Sequence, residues 1–254
     1  MLFRPLFFVY YNMSDTTYDL ISIGAHPDDV EVGTGGVLLS LNERGYKTGI
    51  VYLTAGEMGT GGTPEVRADE ALQAARVLGS DLIKTYDWGD CKLFDTYERR
   101  VELAGLIRRH RPRIILAPYP HVGHGKRQSH PDHVAAGQIT INAVNYATLK
   151  KMPIDEEPHR VKRVFHYFLP PGTTPDFVVD ITAYYDQWVK ALRCHKSQFL
   201  NPEKSRDYMW SLESMARAFG QQAGCRYGQG FCNIEPVRVM DIFDLVKSDS
   251  QSID

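Results

Sequence analysis

Cysteine is scarce in this 254-residue chain: Cys91, Cys194, Cys225 and Cys232 are its four, and no two stand as C-x-x-C. That argues against a disulfide framework, a thiolate zinc site and thioredoxin-like chemistry, and makes the reducing cytoplasm the expected setting. Neither charge sign is in excess, with 29 basic against 31 acidic residues and a net charge of −2. Without a cationic field to grip phosphates, no nucleic-acid partner is expected. No stretch approaches the roughly 18 apolar residues of a membrane span. The apolar run from Leu6 to Val9 is shorter than a signal-peptide core, and no small-residue cleavage site follows it. Residues 1–16 are therefore expected to be a disordered or over-called extension, with Met13 as an alternative start. Residues 17–247 are expected to form a single domain and 248–254 a tail. Gly33-Thr34-Gly35-Gly36 does not fit G-x-G-x-x-G, and neither a Walker motif nor a G-x-S-x-G elbow is present.

What is there is an ordinary globular composition, 43% hydrophobic and 24% charged, arranged in a regular rhythm. Leu20 to Ile23 reads as a buried strand, and Val37, Leu38, Leu39 and Leu41 recur at helical spacing before Gly45. Thr48 to Thr54 is a second strand. Thr63 as cap, Pro64 at the first position and Gly79 at the end delimit the next helix. A weaker strand over 83–88, a helix over 97–110, a strong strand over 113–117 and a helix over about 131–149 follow. Strands over 161–169 and 177–181, helices over 184–199 and 206–220, and a last strand over 237–243 complete the pattern. Such alternation predicts an α/β fold, a Rossmann-like three-layer αβα sandwich on a mostly parallel sheet.

Sheets of this kind bind ligands beyond the carboxyl ends of their strands. Two polar clusters fall there: Ala25-His26-Pro27-Asp28-Asp29 after the first strand, and Ser129-His130-Pro131-Asp132-His133 after the 113–117 strand. In each, a histidine is followed three residues later by a second potential ligand on the same face of a helical turn. A catalytic zinc takes three His or carboxylate ligands and keeps one position open. His26, Asp29, His130 and His133 are four candidates, so three that bind leave the fourth to act on substrate. Taken singly, each histidine is more simply a packed residue; the doubled cluster is what favours a site. A His/carboxylate set also suits a non-haem iron oxygenase, but such sites belong to β-barrels, and hydrolysis by metal-activated water fits this pattern better.

The segments AHPDDVE (25–31) and HPDH (130–133) resemble those of the PIG-L/LmbE-like metal-dependent deacetylases, which act on N-acetylglucosamine-type substrates. TAGEMGTGGTPEVRADEA (54–71), FVVDIT (177–182), ALRCHKSQF (191–199) and RYGQGF (226–231) extend the resemblance over nearly the whole chain. These segments look most like the bacillithiol-pathway branch, which deacetylates an N-acetylglucosaminyl malate. The resemblance implies metal binding by His26, Asp29 and His133, with Asp28 as general base and His130 as oxyanion stabiliser or acid. Zinc is the implied metal, with Fe²⁺ or Co²⁺ also suited to the donor set. A small amino-sugar substrate and a homo-oligomer are implied too.

Arg67, Glu57 and Asp90 resemble family positions near the sugar, and Lys126 and Arg127 stand where a cation would meet an acidic aglycone. The plainer readings are a surface Arg67–Glu70 pair and solvated loop charges. Two departures from the bacillithiol branch, Gly61 and Ser129 in place of arginines, remove cations from this region. His195 is expected to pack in a helix. The alternatives are a non-catalytic sugar- or metal-binding protein, or an amidase for a different N-acyl substrate.

Overall fold

The computed structural model describes residues 16–121, 130–170, 172–201 and 207–241. The expected tail and residues 1–15 of the expected extension lie outside them. Thr16 is anchored, its carbonyl 2.8 Å from His110 Nδ1.

Five strands, β1 (Leu20–Gly24), β2 (Thr48–Tyr52), β3 (Asp81–Thr85), β4 (Ile114–Pro118) and β5 (Arg163–Tyr167), form one sheet in the order β3-β2-β1-β4-β5. Every pairing in it is parallel. Because side chains alternate along a strand, each strand feeds two cores. Ile21, Ile23, Val51, Leu53, Ile115 and Ala117 face α3 (Tyr97–His110) and α4 (Pro131–Thr148). Leu20, Ile50, Tyr52 and Leu116 face α1 (Asp29–Glu43), α2 (Pro64–Leu78) and α5 (Tyr185–Leu192). The result is the three-layer α/β sandwich. No described helix is long and apolar enough to cross a membrane.

Local chemistry sets the boundaries of α2: Thr63 Oγ1 accepts from the Val66 amide, and Gly79 adopts the left-handed conformation that ends the helix. Elsewhere long-range packing overrides the pattern. The helix expected over 184–199 is interrupted. A 3₁₀ turn (Thr182–Tyr184) leads into α5, and a short α6 (Lys196–Phe199) follows a turn that buries His195. Residues 237–241 are not a strand. A separate antiparallel pair joins β6 (Phe177–Asp180) to β7 (Gly228–Phe231), with α7 (Tyr208–Ala223) against it. The glycines of β7 hid it from the pattern, and they are required by packing. A Cβ on Gly228 would sit 2.4 Å from Val178, and one on Gly230 would sit 2.7 Å from the Phe219 ring.

Strand order reverses between β1 and β4, so the loops leaving these two strands diverge and open a crevice at their carboxyl ends. Both histidine clusters lie there.

Candidate active site

The rings of His26, His130 and His133 meet at this crevice, with centroids 5.0, 5.4 and 5.3 Å apart. One donor atom from each lies within 4.8 Å of the others. Pro131 starts α4 and His130 caps it, its Nδ1 accepting from the Asp132 amide. That bond assigns the proton of the neutral ring to Nε2. His133, one turn along, stacks on Phe168 at 4.8 Å and lies 3.1 Å, through Nε2, from Asp29 Oδ1. Asp29 opens α1, and its Oδ2 accepts from the His26 amide at 2.9 Å and faces His26 Nδ1 at 3.5 Å.

The other side of the His26 ring meets two further carboxylates, Asp90 at 3.2 Å and Asp132 at 3.3 Å from Nε2. These three form a second buried donor group. Each carboxylate is also tied to the backbone, Asp90 by the Met58 amide and Asp132 by the Cys91 amide. Asp90, a candidate for the sugar, has its Oδ1 against His26. Glu57, also expected at the sugar, accepts from the Asp90 amide at 2.7 Å and so holds the loop that presents Asp90. Nothing in HPDH itself singles out Asp132; its approach to His26 appears only when the loops after β1, β3 and β4 are brought together.

Arg67 is not the surface partner of Glu70. It is 4% exposed and turned inward, donating to Gly56 O and Pro27 O at 2.7 Å each, with Nη2 3.4 Å from Asp28 Oδ2. Asp28 caps α1 at φ 131°, a conformation that non-glycine residues rarely adopt and that costs about 1–3 kcal/mol. Cys91 and Phe168, at φ 59° and 60°, border the same site. Lys126 and Arg127 lie outside the described residues, as does Ser129. Gly61 is described, and a Cβ there would lie 2.2 Å from Ser197 O, so no larger side chain fits without backbone movement.

Burial and then the neighbouring Asp29 lift the Asp28 carboxyl to about 6, against the pull of Arg67, His195 and His26. Burial opposes charge on His26, but Asp132, Asp29 and Asp90 outweigh it and raise its pKa to about 12. Burial works the same way against the charge on Asp29, yet His133 and His26 hold it well below the usual carboxylate range. His130 is pushed down by burial, then by His133 and His26. Four carboxylates (Asp28, Asp29, Asp90, Asp132) thus surround three imidazoles and one guanidinium. Hard and borderline donors in negative surplus fit a divalent cation of the zinc or iron type.

A parallel α/β sheet carrying such a cluster at its switch point defines a class of site, and comparison with known proteins places the chain more closely. A family model described as PIG-L, GlcNAc-PI de-N-acetylase, matches residues 21–144. Diacetylchitobiose deacetylase of Thermococcus kodakarensis is 33% identical over 226 residues, 83% of this chain and 81% of its own. A probable N-acetyl-α-D-glucosaminyl L-malate deacetylase 2 of Bacillus cereus is 28% identical over 68% of this chain and 80% of its own. Among solved structures, a conserved protein of Thermus thermophilus is 38% identical with a TM-score of 0.78, covering 88% of this chain and 98% of that one. The N,N′-diacetylchitobiose deacetylase of Pyrococcus horikoshii, solved with an inhibitor, is 29% identical with a TM-score of 0.77, covering 89% and 88%. The chain belongs to the PIG-L family of LmbE-like deacetylases.

Proposed function

We infer that this protein is a metal-dependent hydrolase that removes the acetyl group from an N-acetylglucosamine-type substrate. The observation that carries the reading is the convergence of His26, His130 and His133 beside the strained, Arg67-paired Asp28. His26, Asp29 and His133 would hold the ion. Asp90 and Asp132 already bond backbone amides and the far nitrogen of His26, which leaves Nδ1 on the Asp29 side. A bound divalent ion supplies Lewis acidity to the acetyl carbonyl and to the attacking water. Zinc is the first ion to test, then Fe²⁺ and Co²⁺.

The protein's own groups do the rest. Asp28, with a pKa near 6, takes a proton from water as the oxygen attacks the acetyl carbon. The carbonyl oxygen gains negative charge, and the Nε2–H of neutral His130 donates to it. The C–N bond then breaks as Asp28 returns the proton to nitrogen, and the amine leaves with acetic acid, whose remaining proton passes to solvent or to the amine to give acetate.

A neutral aglycone is favoured by Arg67 and Gly61 alone, since Lys126 and Arg127 lie outside the described residues. Arg67 is turned onto Pro27, Gly56 and Asp28 rather than outward, and Gly61 leaves no cation at its position. A second N-acetylglucosamine unit, as in the substrate named for the Thermococcus relative, suits such a site better than malate. We place the protein in the cytoplasm as a homo-oligomer, and sedimentation of the purified chain tests its association state. Acetate release from N-acetylglucosamine, N,N′-diacetylchitobiose and N-acetylglucosaminyl malate, with and without added zinc, tests the assignment. Faster turnover of the malate glycoside would favour the bacillithiol role, and no release from any of the three would remove the deacetylase reading.

A further inference from the structure

The turn between α5 and α6, together with α6 itself, holds three separate parts of the site. His195 is fully buried, and its Nε2 lies 3.1 Å from Oε1 of Glu31, equally buried in the first turn of α1. Tyr52 Oη donates to both Glu31 oxygens at 2.7 and 2.8 Å, and Trp188 Nε1 donates to the Glu31 carbonyl. Two residues after His195, the Ser197 amide and hydroxyl donate to Glu70 at 2.8 and 2.7 Å. Glu70 belongs to α2, the helix that carries Arg67. Gln198 Nε2 then donates to Gly61 O at 2.6 Å, in the glycine-rich loop whose Gly56 carbonyl receives Arg67.

These contacts converge on one relationship. Glu31 stands three residues after Asp28, in the first turn of the helix that Asp28 begins, and the Val32 amide bonds the Asp28 carbonyl at 3.0 Å. A shift of Glu31 therefore moves the Asp28 backbone. A shift of Glu70 or Gly61 moves the helix and loop that aim Arg67. The structure assigns His195, Ser197 and Gln198 as positioning residues, a clamp from the distal part of the chain that fixes Asp28 against Arg67 by holding Glu31, Glu70 and Gly61. The clamp acts through Glu31, Glu70 and Gly61, and its catalytic consequence rests on Asp28 being the base.

The test compares His195→Gln, Glu31→Gln, the double variant with both changes, and Gln198→Ala, assayed on whichever N-acetyl sugar the wild type turns over. Each single change in the His195–Glu31 pair is expected to lower kcat about 100-fold, the scale on which small misplacements of catalytic groups are felt, with KM within about threefold. The double variant, which sets amide against amide, should recover at least about tenfold of that loss because the two residues act through one contact. Gln198→Ala leaves the buried pair intact and should lower kcat about tenfold, which keeps the test open if the buried variants do not fold. Hydrogen exchange supplies a readout independent of turnover: peptides covering 28–34 should exchange faster in His195→Gln, and those covering 56–70 in Gln198→Ala. Variants with lowered melting temperature but wild-type kcat and unchanged exchange would reduce the segment to a packing element and overturn the assignment. Losses that simply add in the double variant would overturn the coupling. A wild type inactive on every substrate would instead count against the deacetylase reading, with exchange alone then deciding whether the clamp exists.

Discussion

Arg67 Nη2 lies 3.4 Å from Asp28 Oδ2 while the same guanidinium grips Pro27 O and Gly56 O. The cation thereby fixes both the carboxylate and the backbone on which that carboxylate is mounted. Gly56 makes this possible: at φ 67°, a Cβ there would stand 1.9 Å from Arg67 Nη1. Arg67→Met and Gly56→Ala are therefore expected to lower kcat by about 10–100-fold through the same displacement. Their combination should cost little more than the worse single change, as steady-state kinetics of the three variants will show.

Asp28 and His26 should separate cleanly. Asp28→Asn keeps the shape of the turn but cannot take a proton, so kcat falls by about 10²–10⁴ while the ion is retained. His26→Ala removes a proposed ligand, and metal content per protein falls with activity. Metal analysis of the two purified variants checks this, and equal metal loss in both would exchange their roles.

Asp132→Asn should weaken metal binding by about 10–100-fold, because the carboxylate that orients a ligating imidazole also raises its basicity. Titration of the metal-free protein with zinc measures the change. Asp90→Asn should act in the same direction, since its oxygen faces the same His26 nitrogen at 3.2 Å.

How much of this was legible in the residues depended on range. Helix α2 could be outlined from Thr63, Pro64 and Gly79 because capping is a local matter. The two histidine clusters were legible because each is contiguous and follows a strand. The break between α5 and α6 was not, since it exists to bury His195 against Glu31, a partner from the first helix. β7 escaped for a similar reason, its Gly228 and Gly230 being chosen by Val178 and Phe219 across the packing. Arg67 and Asp90 were found as candidates but not their partners, because partners are set by the meeting of loops from different strands.

Stability should fall in acid through His166. Burial of this ring, 1% exposed, lowers its pKa despite the bond from Nδ1 to Pro118 O, with His121 adding to the shift. The unfolded chain then binds the proton more readily than the fold does. Stability is full above the unfolded value of about 6.5 and declines as pH falls below it, levelling off beneath the folded value. Urea unfolding at pH 7 and pH 5 should show a smaller loss for His166→Gln than for the wild type.

Arg108 is a purely structural counterpart. Only 2% exposed, it donates to the carbonyls of Tyr146, Ala147, Leu149, Ile154 and Glu156, closing the end of α4. Arg108→Met strands these acceptors and should destabilise the fold by about 2–4 kcal/mol, with activity per folded molecule preserved. Thermal melts paired with activity below the transition will show it.

The most direct measurement is acetate released from N,N′-diacetylchitobiose by the wild-type protein stripped of metal and then titrated with zinc. No release is expected from the stripped protein, and recovery should saturate at one ion per chain, with Asp28→Asn binding that ion and releasing almost nothing. Release that persists undiminished without metal, or an Asp28→Asn protein as fast as the wild type, would contradict that expectation.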